Sequence, residues 1–249
     1  MKRGPLLTDD IDAPVTMSKT DLEKWWSTPL RELKEKVPVR KYKAEVVADS
    51  IAQGVRLTTL EVTFPRFILA EFNTHRVFSR NSASSRAVPV KNRIAQVEMS
   101  PFVPESFGLN RAGMQATEAV DDDAARVARE IWITCAQACL TGARAMAELG
   151  VHKQHANRLI ELFTWHTVVV TSTEWANFFA LRDHVDAQPE MRETAKVMRD
   201  AMQVIRDGVG ASKPVELGEG QWHLPYADRV VVDRLMLDKV AASTVHCAA

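Results

Sequence analysis

Thr74-His75-Arg76-Val77-Phe78-Ser79-Arg80-Asn81-Ser82-Ala83-Ser84-Ser85-Arg86 is the stretch on which the reading of this chain turns. It packs three arginines, a histidine, an asparagine and four serines into one short run without a single acid. Such a run offers many hydrogen-bond donors and little apolar surface, so it reads as solvated and not as core. Arginine forks beside hydroxyls and backbone donors suit a phosphate or a small nucleotide. On spacing alone two readings stay open, a small-anion site and a basic surface loop.

Immediately upstream, Ala44–Ser50 and Arg56–Phe64 are rich in β-branched residues around Gly54, which predicts two paired strands. Pro65 then stands where a helix can begin, with Phe67, Ile68, Leu69 and Phe72 as its buried face. Downstream, Pro89–Met99 reads as a short helix and residues 100–120 as an irregular flap. Asp121, Asp122 and Asp123 open a long helical run to about Leu149. Acids there favour the helix dipole, so they read as a capped start and not as a metal site. Val127, Ile131, Cys135, Ala138 and Leu149 keep helical spacing along that run, and Cys135 and Cys139 read as small core residues on one face. Gly150 ends it. Thr167–Thr173 predicts a buried strand, Glu174–Arg182 a helix, and Pro189–Asp207 an amphipathic helix with Met191, Ala195, Met198, Met202 and Ile205 inward.

The chain has 249 residues, 46% of them hydrophobic, and a formal net charge of zero. That is enough apolar material for a sizeable core, and the balance speaks against a nucleic acid polymer as partner. The three cysteines, Cys135, Cys139 and Cys247, have no disulfide or zinc spacing. No stretch reads as a signal peptide or a membrane span, so the expected setting is cytoplasmic. Residues 1–40, proline-punctuated with Trp25 and Trp26 as anchors of a short helix, read as an N-terminal extension. Residues 41–210 read as the catalytic domain and 211–249 as a tail packing on it, with some order over Arg229–Val240.

Two motifs carry a family resemblance. His75-Arg76, seven residues, then Ser84 resembles the Arg-His-Arg, seven residues, Ser signature of flavin-dependent thymidylate synthases; Ser79, Asn81 and Arg86 also match. Further on, Asn177-Phe178-Phe179-Ala180-Leu181-Arg182 followed by Ala187-Gln188 and Glu190 is similar to that family's Asn-Phe-Leu-x-Leu-Arg…Ala-Gln-x-Glu segment. Between them, Ala156-Asn157-Arg158 sits where the family has a phosphate-binding arginine.

The resemblance implies an α+β fold, a small and mostly antiparallel sheet flanked by helices. It implies carbon-5 methylation of a deoxypyrimidine monophosphate, dUMP to dTMP. Methylenetetrahydrofolate would give the carbon, FAD the reducing equivalent, and NADPH the reduction of FAD. It implies flavin contacts from His75, Arg76, Asn81 and Asn177. Nucleotide contacts would come from Ser84, Ser85, Arg86 and Arg158. Arg182 would reach the pyrimidine and, with Ser84, form the catalytic pair. A homotetramer with shared sites is also implied.

Several positions depart from the family pattern. Thr74 replaces the first arginine of the signature, Ser82 a glutamate, Asp186 a histidine, and Thr171 and Thr173 two flavin-holding residues. Glu71 replaces a glutamine, exchanging an amide for an acceptor-only carboxylate. If Glu71 or another changed position faces the base edge, the substrate becomes dCMP. Hydroxymethyl transfer would be a variant of the same chemistry. A non-catalytic nucleotide- or flavin-binding homologue is a reading of a different class. Trp222-His223-Leu224-Pro225-Tyr226 reads as an aromatic packing group. Ser243–Ala249 resembles the approach to a family Ala-Arg-Val-Ser segment, which reads as a permuted or truncated arrangement, or as coincidence in an alanine-rich tail.

Overall fold

The computed structural model of the chain describes residues 42–112, 115–116, 118–203 and 213–226. All of them belong to one unit, Val37–Ala249. The expected Trp25–Trp26 helix, Ile205, the Arg229–Val240 stretch and the Ser243–Ala249 tail lie outside the described residues, and the helix expected to reach Asp207 ends at Met202.

Strands β1 (Lys43–Ala52) and β2 (Val55–Pro65) form an antiparallel hairpin. Its turn residues Gln53 and Gly54 both take positive φ, 51° and 75°, the backbone twist that suits a two-residue hairpin loop. β2 sends Leu60, Val62 and Phe64 into the core, each fully buried. Strand β4 (Trp165–Ser172) pairs antiparallel with β2 and sets Val168 and Val170 opposite Val62 and Leu60. Strand β3 (Ser79–Ser82) adds antiparallel to β4, and β5 (Val215–Glu216) adds parallel to β1. The order is β3-β4-β2-β1-β5. This is the expected α+β class, a mostly antiparallel sheet flanked by helices.

Pro65 is the N-cap of the expected helical segment, which is short. It is the last residue of β2, opposite Trp165, a place where a missing N–H costs no ladder bond. A 3₁₀ turn, Arg66–Ile68, and one helical turn, α1 (Leu69–Phe72), follow. Ile68 and Phe72 reach the core, while Phe67 and Leu69 are only partly buried against it. Helix α2 (Val90–Met99) starts after Pro89. Helix α3 (Asp122–Glu148) is capped by Asp121, whose Oδ1 accepts from the Ala124 amide at 2.8 Å, and Gly150 closes it at φ 75°. The flap is irregular apart from a bridge between Gly108 and Ala119. A short helix α4 (Lys153–Ala156) and a 3₁₀ segment, Asn157–Phe163, lead into β4. Helices α5 (Ala176–Arg182) and α6 (Pro189–Met202) follow, and Met191, Ala195 and Met198 of α6 pack on the sheet.

One expectation is reversed. The apolar series on α3 does not face the core: Val127 is 44%, Ile131 57% and Leu149 80% exposed, and Cys135 is exposed. The helix buries Ala136, Leu140 and Ala143 on its other side. Small side chains there let a long helix lie close against its neighbours. No helix among the described residues is long and apolar enough to cross a membrane.

Candidate nucleotide and cofactor site

The signature does not behave as one loop. Its first part dips into the core, against the expectation of a wholly solvated run. Phe78 is 4% exposed and packs on Phe72, Trp175 and Phe178. His75 is 9% exposed, with the edge of Phe178 against its ring, centroids 4.9 Å apart. Arg182, at the end of α5, donates from Nε to His75 Nε2 at 2.9 Å. Arg80 donates to the His75 carbonyl. Burial, then the charges of Arg182 and Arg80, hold His75 below the ordinary imidazole range. The ring is therefore neutral, with Nε2 as acceptor and the proton on Nδ1. Arg182 pairs with neither Asp183 nor Asp186: Asp183 is bound by Arg199 and Asp186 lies beside His184.

The second part of the signature is held differently. Ser84 and Arg86 are exposed, and the Arg86 amide donates to Ser84 Oγ at 3.3 Å. Ser85 is 2% exposed, and its hydroxyl donates to Glu161 Oε1. The same carboxylate faces Arg66 Nη2 at 3.3 Å and Arg158 Nη1 at 3.8 Å. Asn157, fully buried, donates from Nδ2 to the carbonyls of Ser85 and Val88 at 2.8 and 2.9 Å. Behind them Arg66 donates to His166 Nδ1 at 3.0 Å. His166 is pushed down to about 3 by burial and then by the charges of Arg66 and Arg93. Arg66, Asn157, Glu161 and His166 were not singled out from the sequence for this role. They are scattered over two segments, and nothing in their spacing reveals that they converge on Ser85.

Asn81 and Thr171 lie on the sheet face away from the main core, since Asn81 pairs with Val169 and Ser79 with Thr171. Thr171 shares its hydroxyl with Thr59 at 2.7 Å, and Thr59 in turn meets His223 Nε2 at 2.8 Å. His223 Nδ1 reaches Ser50 Oγ at 2.8 Å, and the Tyr226 hydroxyl donates to Glu61 at 2.8 Å. The Trp222–Tyr226 group thus docks on this face through polar bonds, with Trp222 itself 64% exposed. Arg76, Asn177 and Glu71 are exposed. As a donor set His75, Arg76, Asn81 and Asn177 fit a flavin, whose ring oxygens and nitrogens are mainly acceptors. At Thr171 the hydroxyl is already committed within the sheet. Glu190, of the second motif, is 7% exposed at the start of α6, and burial raises its carboxyl.

Residues 23–205 match the family described as thymidylate synthase complementing protein. The chain belongs to that family. It is the flavin-dependent thymidylate synthase family that both motifs resemble. Among solved structures, the UMP/dUMP methylase PolB from Streptomyces cacaoi bound with 5-Br UMP superposes with a TM-score of 0.53 at 16% identity, over 66% of this chain and 90% of that one. The same protein bound with 5-Br dUMP gives 0.53 at 14% identity, with the same coverage. At such identity the likeness is one of fold. No curated protein matches the chain. Within the thymidylate synthase complementing protein fold, then, the His75–Arg182 contact joins the two motifs to each other, and the Ser85–Glu161 contact ties the first of them to the segment ahead of β4.

Proposed function

We propose that this protein methylates carbon-5 of a deoxypyrimidine monophosphate, most simply dUMP to dTMP, with methylenetetrahydrofolate as carbon donor, FAD as reductant and NADPH as the source of its electrons. The observation that carries this reading is the 2.9 Å bond between Arg182 and His75, which joins the two family motifs across 107 positions. When bound and reduced by NADPH, the flavin would supply the hydride that turns a transferred methylene into a methyl group.

The chain's own residues bind and orient. His75, Arg76, Asn81 and Asn177 hold the cofactor, with neutral His75 offering its Nδ1 proton. Arg182, fixed through Nε by His75, keeps its remaining N–H groups for the pyrimidine carbonyls. Ser84, the Ser85 amide and Arg86 hold the nucleotide, and Arg158 takes its phosphate. Fixed reactants convert positional entropy into rate. The family's homotetramer with shared sites is part of this proposal.

A second reading, the same reaction on dCMP, has its own support in the exposed carboxylate of Glu71, which accepts from an amino group where the family's amide serves uracil. Purified protein incubated with FAD should take on flavin absorbance. With methylenetetrahydrofolate and NADPH it should release tritium from carbon-5 of labelled dUMP. Release from dCMP alone moves the assignment to the second reading. Binding of FAD and nucleotide without release makes the protein a non-catalytic homologue, and no binding of either ends the proposal.

A further inference from the structure

The segment Val215–Tyr226 crosses the sheet as a strap. It starts as β5 on the edge of β1, where the Leu217 amide donates to the Ile51 carbonyl at 2.8 Å. It turns at Gly220, φ 76°, with the Gly218 amide donating to Gln221 Oε1 at 2.8 Å. His223 then sets its two ring nitrogens on Ser50 of β1 and Thr59 of β2, and Thr59 meets Thr171 of β4. A neutral imidazole has one N–H and one acceptor, so Ser50, His223, Thr59 and Thr171 form a one-way relay that ties three strands together. Tyr226 closes the strap with its hydroxyl on Glu61, its backbone at φ 64°. A left-handed tyrosine is uncommon, and such strain persists only where the surroundings over-determine it.

The sheet face under the strap is covered on one side only. Ser79 and Asn81 of β3 share that face with Thr171 and Val169 of β4 and with Thr59 and Glu61 of β2. His223 and Tyr226 take the β2 side, while Ser79 and Asn81 stay exposed on β3. The register sets Asn81 about 8 Å from Thr171, one strand spacing across and two residues along. The strap and Asn81 therefore flank the same strip of sheet, with Val169 as its floor. An apolar floor and an amide edge suit a flat ring with polar atoms at its rim.

Trp222 is the large side chain that the strap leaves in water. It is 64% exposed, whereas Tyr226 is 6% exposed. Both its neighbours are tied, Gln221 to Gly218 and His223 to two hydroxyls. An indole on a fixed backbone has only two torsions left to order when a ring stacks on it.

We propose that the strap is a wall of the cofactor site, with Trp222 stacked on the flavin ring and His223 as the positioning residue that clamps the strap to the sheet. The inference rests on the reading that Asn81 holds FAD, and it adds two residues that neither family motif contains.

Titration of FAD into the full chain tests it, with calorimetry for affinity and flavin emission for stacking, because an indole against the ring quenches that emission. Trp222→Ala should weaken FAD about tenfold and restore the emission of the bound flavin, with unchanged far-UV circular dichroism. Trp222→Phe should stay within about threefold of wild type. His223→Ala should weaken FAD likewise, and His223→Gln, which keeps a donor and an acceptor, should recover most of the loss. A wild type that takes up no FAD ends the cofactor reading and the strap with it. FAD binding by the wild type, matched by either alanine variant, overturns the strap alone. Tighter binding by either variant makes the strap a cover over the site and overturns it as well.

Discussion

The two ends of the arginine-serine signature are built on opposite principles. At the His75 end the polar groups are few and each has one assigned task. An aromatic wall of Phe78, Phe178 and Trp175 takes the ring out of water, and Arg182 fixes the tautomer. At the Ser85 end the polar groups are many, and they are spent on one another. Ser85, Arg66 and Arg158 all converge on Glu161, so a carboxylate of the chain already sits where these donors would meet an anion. The first end is preorganised and costs little to use. The second would have to give up an internal partner to take the phosphate proposed for it. An aromatic enclosure strengthens a single hydrogen bond by excluding water, whereas a cluster of donors near solvent needs a counter-charge.

The largest expected effect comes from breaking the preorganised end. Arg182→Ala should lower turnover about 100-fold, ~2.7 kcal/mol of lost transition-state stabilisation. In nitrogen NMR, His75 should lose its fixed Nδ1–H tautomer. Turnover within threefold of wild type removes Arg182 from the site. At the other end Glu161→Gln should bind inorganic phosphate and dUMP about tenfold more tightly, ~1.4 kcal/mol, by calorimetry at low salt. Weaker binding means that Glu161 positions the loop and does not compete with the ligand.

The smallest effect is set by acid and reaches behind both ends. His75, His166 and His223 all lie below their ordinary value of 6.5 in the folded chain, each chiefly through burial. The unfolded chain therefore binds protons that the fold refuses, and stability falls as pH drops below 6.5. For His166, 3% exposed and held at about 3, the loss is about 1 kcal/mol between pH 6.5 and 5.5. Urea unfolding at the two values measures it, and His166→Asn should flatten the slope. An unchanged slope in that variant assigns the acid sensitivity elsewhere.

Much of this was legible from local chemistry. The hairpin, the capped start of α3 and the inward methionines of α6 follow from turn chemistry, capping and periodicity, which act within a few residues. The pairing of His75 with Arg182 was legible only as two motifs of one family, because their contact bridges 107 positions.

Pro65 both closes β2 and caps the helical turns after it, because each place tolerates a missing N–H. The α3 stripe misled because periodicity reports that a face is apolar and is silent about what it faces. Residue identity and short-range spacing thus determined the elements, the family and the donor set. Only the tertiary structure decided that His75 accepts from Arg182, that Glu161 meets Ser85, Arg66 and Arg158, and which side of α3 meets the core. Charge state and partner choice depend on what folding brings within about 4 Å and removes from water, and neither is encoded in any single stretch of the chain.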